Sequence, residues 1–462
     1  MSAAEAAVSL ARELAGVVGE AHVSEDQAAL EKLAVEEVAP AVAVAPGSPE
    51  EVAAVLRFAC GHNLTVVPAG GFTRQGIGGV PERVDIVLET RRLAGLEHYD
   101  PGDLTLGAGA GMTLGALEEK LAAHQQFLPI ESAHTDRETV GGLLAAAASS
   151  PLRHGFGGLR DYCIGVKFVT GDGRLAKGGG RVVKNVAGYD LMKLLIDSFG
   201  TLGVIVSANF KVFPRPRQTR TFLCEFASAE EAITFRDRVL RSPLSPICLE
   251  LVSPRAEEYL REPPPARNVD DVHPEAPVKL EAGAWRVLVR AAGSDAVLAR
   301  YRRELGGAAS QEVAGDAEAA CWRQLLRFED AVLARHHNAM ILHVSLPLSA
   351  VARALAAAER AVDNNFLPAT VGRFGAGSLG IAFLPLLVDP PSAMQYVAAV
   401  SAFRGALARD ASAVVARCPR EAKLHFDVWG STPTDRGAMR RVKQAMDPKN
   451  VLNRGRFAIL DL

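Results

Sequence analysis

The sequence predicts an α+β protein built in two parts, and three observations predict it. Over its first half, short apolar runs stop repeatedly at glycines, as in Pro68-Ala69-Gly70-Gly71, Gly107-Ala108-Gly109-Ala110-Gly111 and Gly200-Thr201-Leu202-Gly203. The punctuation Pro214-Arg215-Pro216 then marks a boundary. From Thr221 onward, strand-like segments alternate with alanine- and arginine-rich helices. That is the pattern of helices laid on one face of an antiparallel sheet. A chain of 462 residues is long enough for two domains or one large one with insertions.

In chain order, Met1 to Glu20 reads as an amphipathic helix without the basic start and cleavage pattern of a secretion signal. Pro40 to Pro46 is a short apolar strand. Ser48-Pro49-Glu50-Glu51 opens a helix: Ser48 can cap it, Pro49 suits the first helical position and Glu51 completes a capping box. Val52, Val55, Leu56 and Ala59 fall on its apolar face. Leu64–Pro68 is a strand that runs into Ala69-Gly70-Gly71-Phe72-Thr73-Arg74-Gln75-Gly76. A strand followed by such a loop can cradle an anion, because consecutive backbone N–H groups can converge. An isolated Gly-rich turn is the plainer reading of the same residues. No Gly-x-Gly-x-x-Gly opens a helix after Pro68 and no Walker lysine follows, which argues against Rossmann and P-loop folds.

Val84–Leu88 and Leu104–Gly111 are strands, and Leu114–Ala123 is a helix capped by Thr113. The stretch from Thr139 to Pro216 is the richest. It holds Thr139-Val140-Gly141-Gly142, Gly155 to Asp161, Val183 to Leu191 and Gly200 to Ile205, with strands at Gly165–Thr170 and Val204–Val212. Glycine admits positive φ and lets a ligand approach the backbone, so this stretch reads as the wall of a pocket for an extended, phosphate-bearing cofactor. In the second half, strands are expected at Thr221–Phe226, Ile247–Val252, Trp285–Ala291, Met340–Pro347 and Ser378–Phe383. Helices are expected at Ala229–Arg241, Ser294–Leu305, Ser349–Asn364 and Pro390–Arg409, and Arg261 to Ala284 reads as a long surface loop. A last helix begins near Asp435 and breaks at Asp447-Pro448.

Composition narrows the function. The net charge of −2 gives no general attraction to nucleic acid or an anionic membrane. No apolar run is long enough for a spanning helix. The six cysteines, Cys60, Cys163, Cys224, Cys248, Cys321 and Cys418, include no close pair, so this chain is not expected to build an iron–sulfur cluster or zinc site. They read as reduced thiols of a cytoplasmic protein.

Together these residues carry a resemblance. Pro46 to Val52, the Pro68–Gly76 loop, Thr139 to Gly142 and Gly200 to Ile205 resemble the PCMH-type FAD-binding module of the vanillyl-alcohol oxidase superfamily. Lys184-Asn185-Val186-Ala187-Gly188-Tyr189-Asp190-Leu191 is similar to the FAD-binding subunit family of bacterial glycolate oxidases. Asp447-Pro448 through Phe457 looks like the C-terminal signature of the wider family. The resemblance implies a PCMH-type domain of two α+β subdomains at 36–217 after an N-terminal helical segment, 1–35. It implies an α+β cap or substrate domain with an antiparallel sheet at 218–430, and a C-terminal segment, 431–462, returning to the FAD domain.

The cofactor so implied is non-covalent FAD, since neither histidine nor cysteine stands in the 69–76 loop. His134 and His154 are the other histidines considered for a link, and each is read as structural. Carried over by position, Ala69, Gly70, Gly71, Phe72, Thr73 and Gly76 would wrap the pyrophosphate, and Thr139, Gly141 and Gly142 would line the flavin and diphosphate. Ser149 stands in a cofactor-side turn, and Arg160 and Asp161 would brace the loop after the second glycine cluster. At least one of Lys184, Asn185 and Tyr189 would line the cofactor, the plainer reading being a solvated lysine with turn and core residues, and Gly203 and Ile205 would meet the adenine end. Two departures stand out. Phe72 replaces a usual glycine, so the turn must relax or the ring must pack on the cofactor. Ser149-Ser150-Pro151 replaces a Ser-Gly-Pro-like turn.

Metal-using relatives carry His-x-Gly-Asp-Gly-Asn-x-His. Here Arg373-Phe374-Gly375-Ala376-Gly377-Ser378-Leu379-Gly380 keeps the glycines, but its ligand positions are Arg373, Ala376, Ser378 and Gly380. None makes an imidazole–carboxylate site; His336-His337 and His343 remain, but the adjacent pair points its rings apart, so no metal is expected.

Three functions remain open. One is an FAD-binding subunit of a glycolate-type 2-hydroxy-acid dehydrogenase, whose flavin serves in electron transfer or assembly while a sister flavoprotein mainly oxidises the substrate and an iron–sulfur subunit accepts electrons, with a route to a membrane through these partners. Another is a self-sufficient flavin oxidoreductase of a small alcohol or hydroxy acid, with Arg373, or Arg323 and Arg327, on a carboxylate and a histidine as base. The third is a scaffold that keeps the fold without flavin.

Overall fold

The computed structural model describes residues 3–182, 188–261, 283–361, 365–386, 390–430 and 435–457. The expected loop over residues 261–284 falls almost wholly outside them, as do Lys184 and Asn185.

A small first sheet holds β1 (Val23–Ser24), β2 (Val42–Val44), β3 (Val66–Ala69) and β4 (Ile86–Glu89) in the order β1-β2-β4-β3. The inner pairs are parallel, Val42 facing Ile86 and Val66 facing Ile86 from the other side. The crossover between β2 and β3 is the helix Pro49–His62. Ser48 Oγ accepts from the Glu51 N–H at 3.1 Å, as a cap should, whereas Glu51 Oε2 accepts from the Gly47 N–H at 2.7 Å, one residue before the N-cap, rather than from Ser48 as a capping box would. Val52, Val55, Leu56 and Ala59 are buried against the sheet, as their spacing requires.

The next unit contains β5 (Leu96–Asp100), β6 (Thr105–Gly109), the short β7 (Gln126–Phe127), β8 (Cys163–Val169), β9 (Leu175–Gly179), β10 (Val204–Lys211) and β11 (Phe213–Pro214). Five of these form an antiparallel sheet in the order β5-β6-β10-β8-β9, and β7 pairs with β11. The helix Val140–Ala145 packs on this sheet, burying Val140, Leu143 and Leu144 in one core with Leu106, Ala108 and Ala208.

The second half is one antiparallel sheet of eight strands: β12 (Thr219–Phe226), β13 (Cys248–Val252), β14 (Trp285–Ala292), β15 (Ala309–Val313), β16 (Met340–Ser345), β17 (Phe366–Arg373), β18 (Ser378–Pro385) and β19 (Ser412–Arg417). Their order is β15-β12-β14-β13-β17-β18-β16-β19. Helices do not keep to one face, which corrects the simpler expectation. Met340, Leu342 and Val344 of β16 face a core shared with the helices Ala229–Arg241, Val351–Ala361 and Ala393–Ala406. Ile341, one residue out of phase, belongs to a second core with Leu325, Phe328 and Val332 from the helices Gly315–Leu326 and Phe328–Arg335. That second face is only partly covered, and its open part becomes the floor of a cavity.

The chain's end returns to the first half as expected. Leu452 forms a parallel bridge to Val66, and the Asn453 N–H donates to Val66 O at 2.9 Å. Among the described residues no helix is long and apolar enough to cross a membrane.

Candidate functional site

A trench of about 100 Å³ runs between the end of β3 and the start of the helix Val140–Ala145. Ala69, Gly70, Gly71, Phe72, Thr73, Thr139, Gly141, Gly142, Gly203 and Ile205, all singled out by sequence, line it together. Gly70 and Gly71 are required by loop packing as much as by ligand access. A Cβ on Gly70 would lie 2.0 Å from Thr139 Oγ1, and one on Gly71 would lie 1.8 Å from Arg137 O. Thr139 is buried, and its hydroxyl caps the helix by accepting from the Gly142 N–H at 3.3 Å. Gly142 is different: a Cβ there would meet only Thr139 Oγ1, at 3.2 Å, so its open side faces the trench.

The loop after β3 is held from behind by cations far along the chain. Arg137 donates to Gly71 O at 3.2 Å and Arg417 to Thr73 O at 3.1 Å. Lys423 Nζ donates to Gly76 O at 2.6 Å, and Arg456 reaches the carbonyls of Gln75, Ile77 and Gly79. No backbone N–H from Gly70 to Gly76 has a partner among the described residues. In a planar trans peptide the C=O and the following N–H point opposite ways, so pulling these carbonyls back turns N–H groups the other way. Unpaired N–H groups with buried cations behind them suit two phosphate charges. Burial pulls Arg456 down to about 10, with Glu36 opposing and Arg417 adding to the effect. Glu36 also meets Lys423 at 2.7 Å, which anchors the clasp.

The trench opens into a cavity of about 580 Å³, and Thr73, Arg74, Ile77, Glu138, Ala146 and Phe199 line both. A dinucleotide laid in the trench would place its far end in the cavity. Four non-glycine residues with left-handed backbone border this route: Phe72 (φ 62°), Ala147 (φ 44°), Asp197 (φ 71°) and Phe199 (φ 51°). Such residues cost about 1–3 kcal/mol each and gather where surrounding structure holds a site in shape. Phe72 therefore takes the strained turn rather than relaxing it, packing near Val67, Ala69 and Val84.

The cavity is rich in paired charges. Arg74 meets Glu138 at 2.6 Å, His134 Nε2 meets Asp330 at 2.9 Å, and His343 Nε2 meets Glu329 at 2.7 Å. Burial pushes the Glu329 carboxyl up, but His343, Arg74 and Arg417 outweigh it and bring it down to about 2. The hydrogen bond that His134 donates to the Asp330 carboxylate holds its imidazole above the ordinary range. Arg373, Ala376, Ser378 and Gly380 all line this cavity, so the segment with the altered ligand pattern borders the site. Arg373 donates to Ser149 O at 2.9 Å, which places Ser149 on the cavity rather than in the trench. Among the described residues no group of three His, Cys, Asp or Glu side chains is arranged for a metal ion.

The remaining sequence candidates lie apart. Gly76 adjoins the trench, but Arg417 fills the space its Cβ would take, at 1.2 Å. Asp161 accepts from the Gly158 N–H at 2.7 Å, and Arg160 donates to Lys193 O at 2.8 Å; neither lines the trench or cavity. Burial raises the Asp197 carboxyl pKa, with Arg160 and Arg153 opposing, so Arg160 acts on the cavity only at a distance. Tyr189 is 89% exposed and touches neither space. Sequence reading assigned no role to Arg74, Glu138, Phe199, Glu329, Arg417, Lys423 or Arg456. Arg74 lies within the 69–76 loop, Phe199 within the Thr139–Pro216 stretch and Arg456 within the closing Asp447 to Phe457, all segments that the sequence singles out; the other four lie outside them.

Residues 40–179 match the FAD binding domain family, and residues 215–409 and 430–457 match the C-terminal domain of FAD linked oxidases. Together the matches take in more than three-quarters of the chain. The D-lactate dehydrogenase of Archaeoglobus fulgidus is 36% identical over 218 residues, 47% of this chain and 48% of that protein. Glycolate oxidase subunit GlcE of Escherichia coli is 37% identical over 163 residues, 35% of this chain and 47% of that protein. The chain thus spans about half the length of these two relatives. D-2-hydroxyglutarate dehydrogenase of Xanthomonas citri pv. viticola is 29% identical over 433 residues, 90% of this chain and 89% of its own. In fold, p-cresol methylhydroxylase is similar with a TM-score of 0.72 at 15% identity, over 99% of this chain and 97% of that one.

Proposed function

As the chain belongs to the FAD-linked oxidases, we propose that it is an FAD-dependent oxidoreductase of small 2-hydroxy acids, acting as the FAD-binding subunit of a glycolate-type complex. The observation that carries the cofactor assignment is the run of unpaired N–H groups from Gly70 to Gly76, at the mouth of a cavity lined by acid–base pairs. In this reading the loop holds the diphosphate, Thr139 to Gly142 and Gly203 to Ile205 border the dinucleotide, and the flavin end enters the cavity. Bound FAD supplies the two-electron acceptor. Ser149 acts through Arg373, which would stand beside a substrate carboxylate.

Support for the subunit role is the 37% identity to a glycolate oxidase subunit over 163 residues. A sister flavoprotein and an iron–sulfur polypeptide are then the expected partners, in the cytoplasm or on a membrane reached through them. A second reading, oxidation by this chain alone, is favoured by His343 and Glu329 paired inside the cavity. Anaerobic mixing of the purified flavoprotein with glycolate or D-lactate tests both. Bleaching by the isolated chain supports the second. Bleaching only when an iron–sulfur polypeptide co-purifies supports the first. Bleaching in neither preparation contradicts both.

A further inference from the structure

The floor of the cavity is the uncovered face of the eight-stranded sheet, and one imidazole stands on it among small residues. His343 on β16 lies in register with Gly380 on β18 and Val414 on β19. Ser345, Ser378 and Ser412, which also line the cavity, surround it on the same strands. The side chain has room because glycine and serine flank it, and it is 41% exposed. Its Nε2 is engaged by Glu329 at 2.7 Å from the helix Phe328–Arg335. Its Nδ1 has no partner among the described residues.

We propose that His343, positioned by Glu329, is the proton acceptor for the substrate hydroxyl, a role that rests on hydroxy-acid oxidation occurring in this cavity. A carboxylate on Nε2 places the imidazole proton there and leaves Nδ1 with a lone pair. Burial works against the Glu329 carboxylate, while the hydrogen bond that His343 donates and the Arg74 and Arg417 charges favour it. The second pair in the cavity is unsuited to the task. His134 is held toward its protonated form by Asp330 and bridges the loop after Ile130 to the helix Phe328–Arg335. In the reaction the substrate O–H bond breaks and its proton moves to His343 Nδ1. The C2–H bond gives its hydrogen with the electron pair to the oxidant, FAD, and a 2-oxo acid is left.

Two measurements on the full chain test this. Nitrogen-15 NMR of histidine-labelled protein, with the signal assigned by its loss in His343→Gln, should show the Nε2–H tautomer near neutral pH. The Glu329→Gln variant should lose that bias. A proton found on Nδ1 in the unmodified chain overturns the proposal without any turnover. In flavin-loaded protein, His343→Gln should keep its flavin and slow bleaching by the acid by about 10²–10⁴-fold. Undiminished bleaching in His343→Gln overturns the dyad while leaving the hydroxy-acid reading intact. Failure of the unmodified protein to bleach, both alone and with a co-purified iron–sulfur polypeptide, removes the hydroxy-acid reading itself, whatever the tautomer shows.

Discussion

Lys443 Nζ lies 2.7 Å from Asp447 Oδ2, one helical turn apart, with the two side chains 1% and 0% exposed. The pair is a junction. Asp447 accepts from the N–H groups of Val451 and Leu452 at 3.0 and 2.8 Å. Lys443 donates to Thr201 O at 2.9 Å and to Leu452 O at 3.1 Å. It therefore ties the helix Arg436–Met446 to the Gly200–Gly203 turn on the trench wall and to the strand-like end that bridges Val66. Removing one partner of a buried pair leaves an uncompensated charge and costs about 3–5 kcal/mol. Asp447→Ala should lower stability by that order in denaturant melts and weaken flavin retention, whereas Lys449→Ala on the surface nearby should change neither.

Gly142 should tolerate no larger side chain on its trench side. Gly142→Val should abolish flavin retention while the second half of the chain stays folded, because the added methyls enter the trench and clash little with protein. The ratio of flavin to protein absorbance and a circular dichroism spectrum check the two halves of that statement. Gly71→Ala should differ, losing stability as well, because its Cβ would collide with Arg137 O.

At Phe72 the order of two variants reports the strained backbone. Phe72→Ala removes the ring and keeps φ at 62°, while Phe72→Gly removes the ring and relieves the strain. Phe72→Gly should therefore be the more stable of the two by about 1–2 kcal/mol in thermal or denaturant unfolding. Equal stabilities would mean the loop relaxes.

Glu250 lies across β13 and β17 from Arg373, is fully buried, and has no hydrogen-bond partner on either carboxyl oxygen. Burial pushes its pKa up to about 8, with Arg373 opposing and Glu131 adding to the rise. The folded protein thus holds a proton that the unfolded chain releases near its ordinary value of about 4.3. Stability from this group is full below that value and falls as pH rises toward about 8, at about 1.4 kcal/mol per pH unit. Glu250→Gln should remove the slope and stabilise the protein by a few kcal/mol at mildly alkaline pH. Denaturant midpoints of both proteins across this range check it.

Much of this architecture was legible because its signals are local. Ser48, Pro49 and Glu51 announce a helix start within four residues, and the glycines of the 69–76 and 139–142 loops announce close approach. What stayed hidden depends on distance along the chain. Arg417, Lys423 and Arg456 look like ordinary surface cations in sequence, yet they hold carbonyls of the 71–79 loop from more than three hundred residues away. The strand Leu96–Asp100 was missed because it lies at a sheet edge, exposed or half-buried, and shows no alternation. Glu329 and Asp330 escaped because a carboxylate pair at the start of a helix reads first as a favourable N-terminal charge. Only the partners His343 and His134, from other elements, turn them toward chemistry. Arg160, Asp161 and Tyr189 show the converse: motif position suggested contact, and folding placed them outside the trench.

The most direct test of the account is the flavin content of the freshly purified chain, followed by titration of any flavin-free fraction with FAD. The account predicts a yellow protein that retains stoichiometric FAD and releases it on denaturation. A colourless chain that neither quenches added FAD fluorescence nor gains thermal stability from it would contradict the claim that the Gly70–Gly76 amides grip a dinucleotide diphosphate.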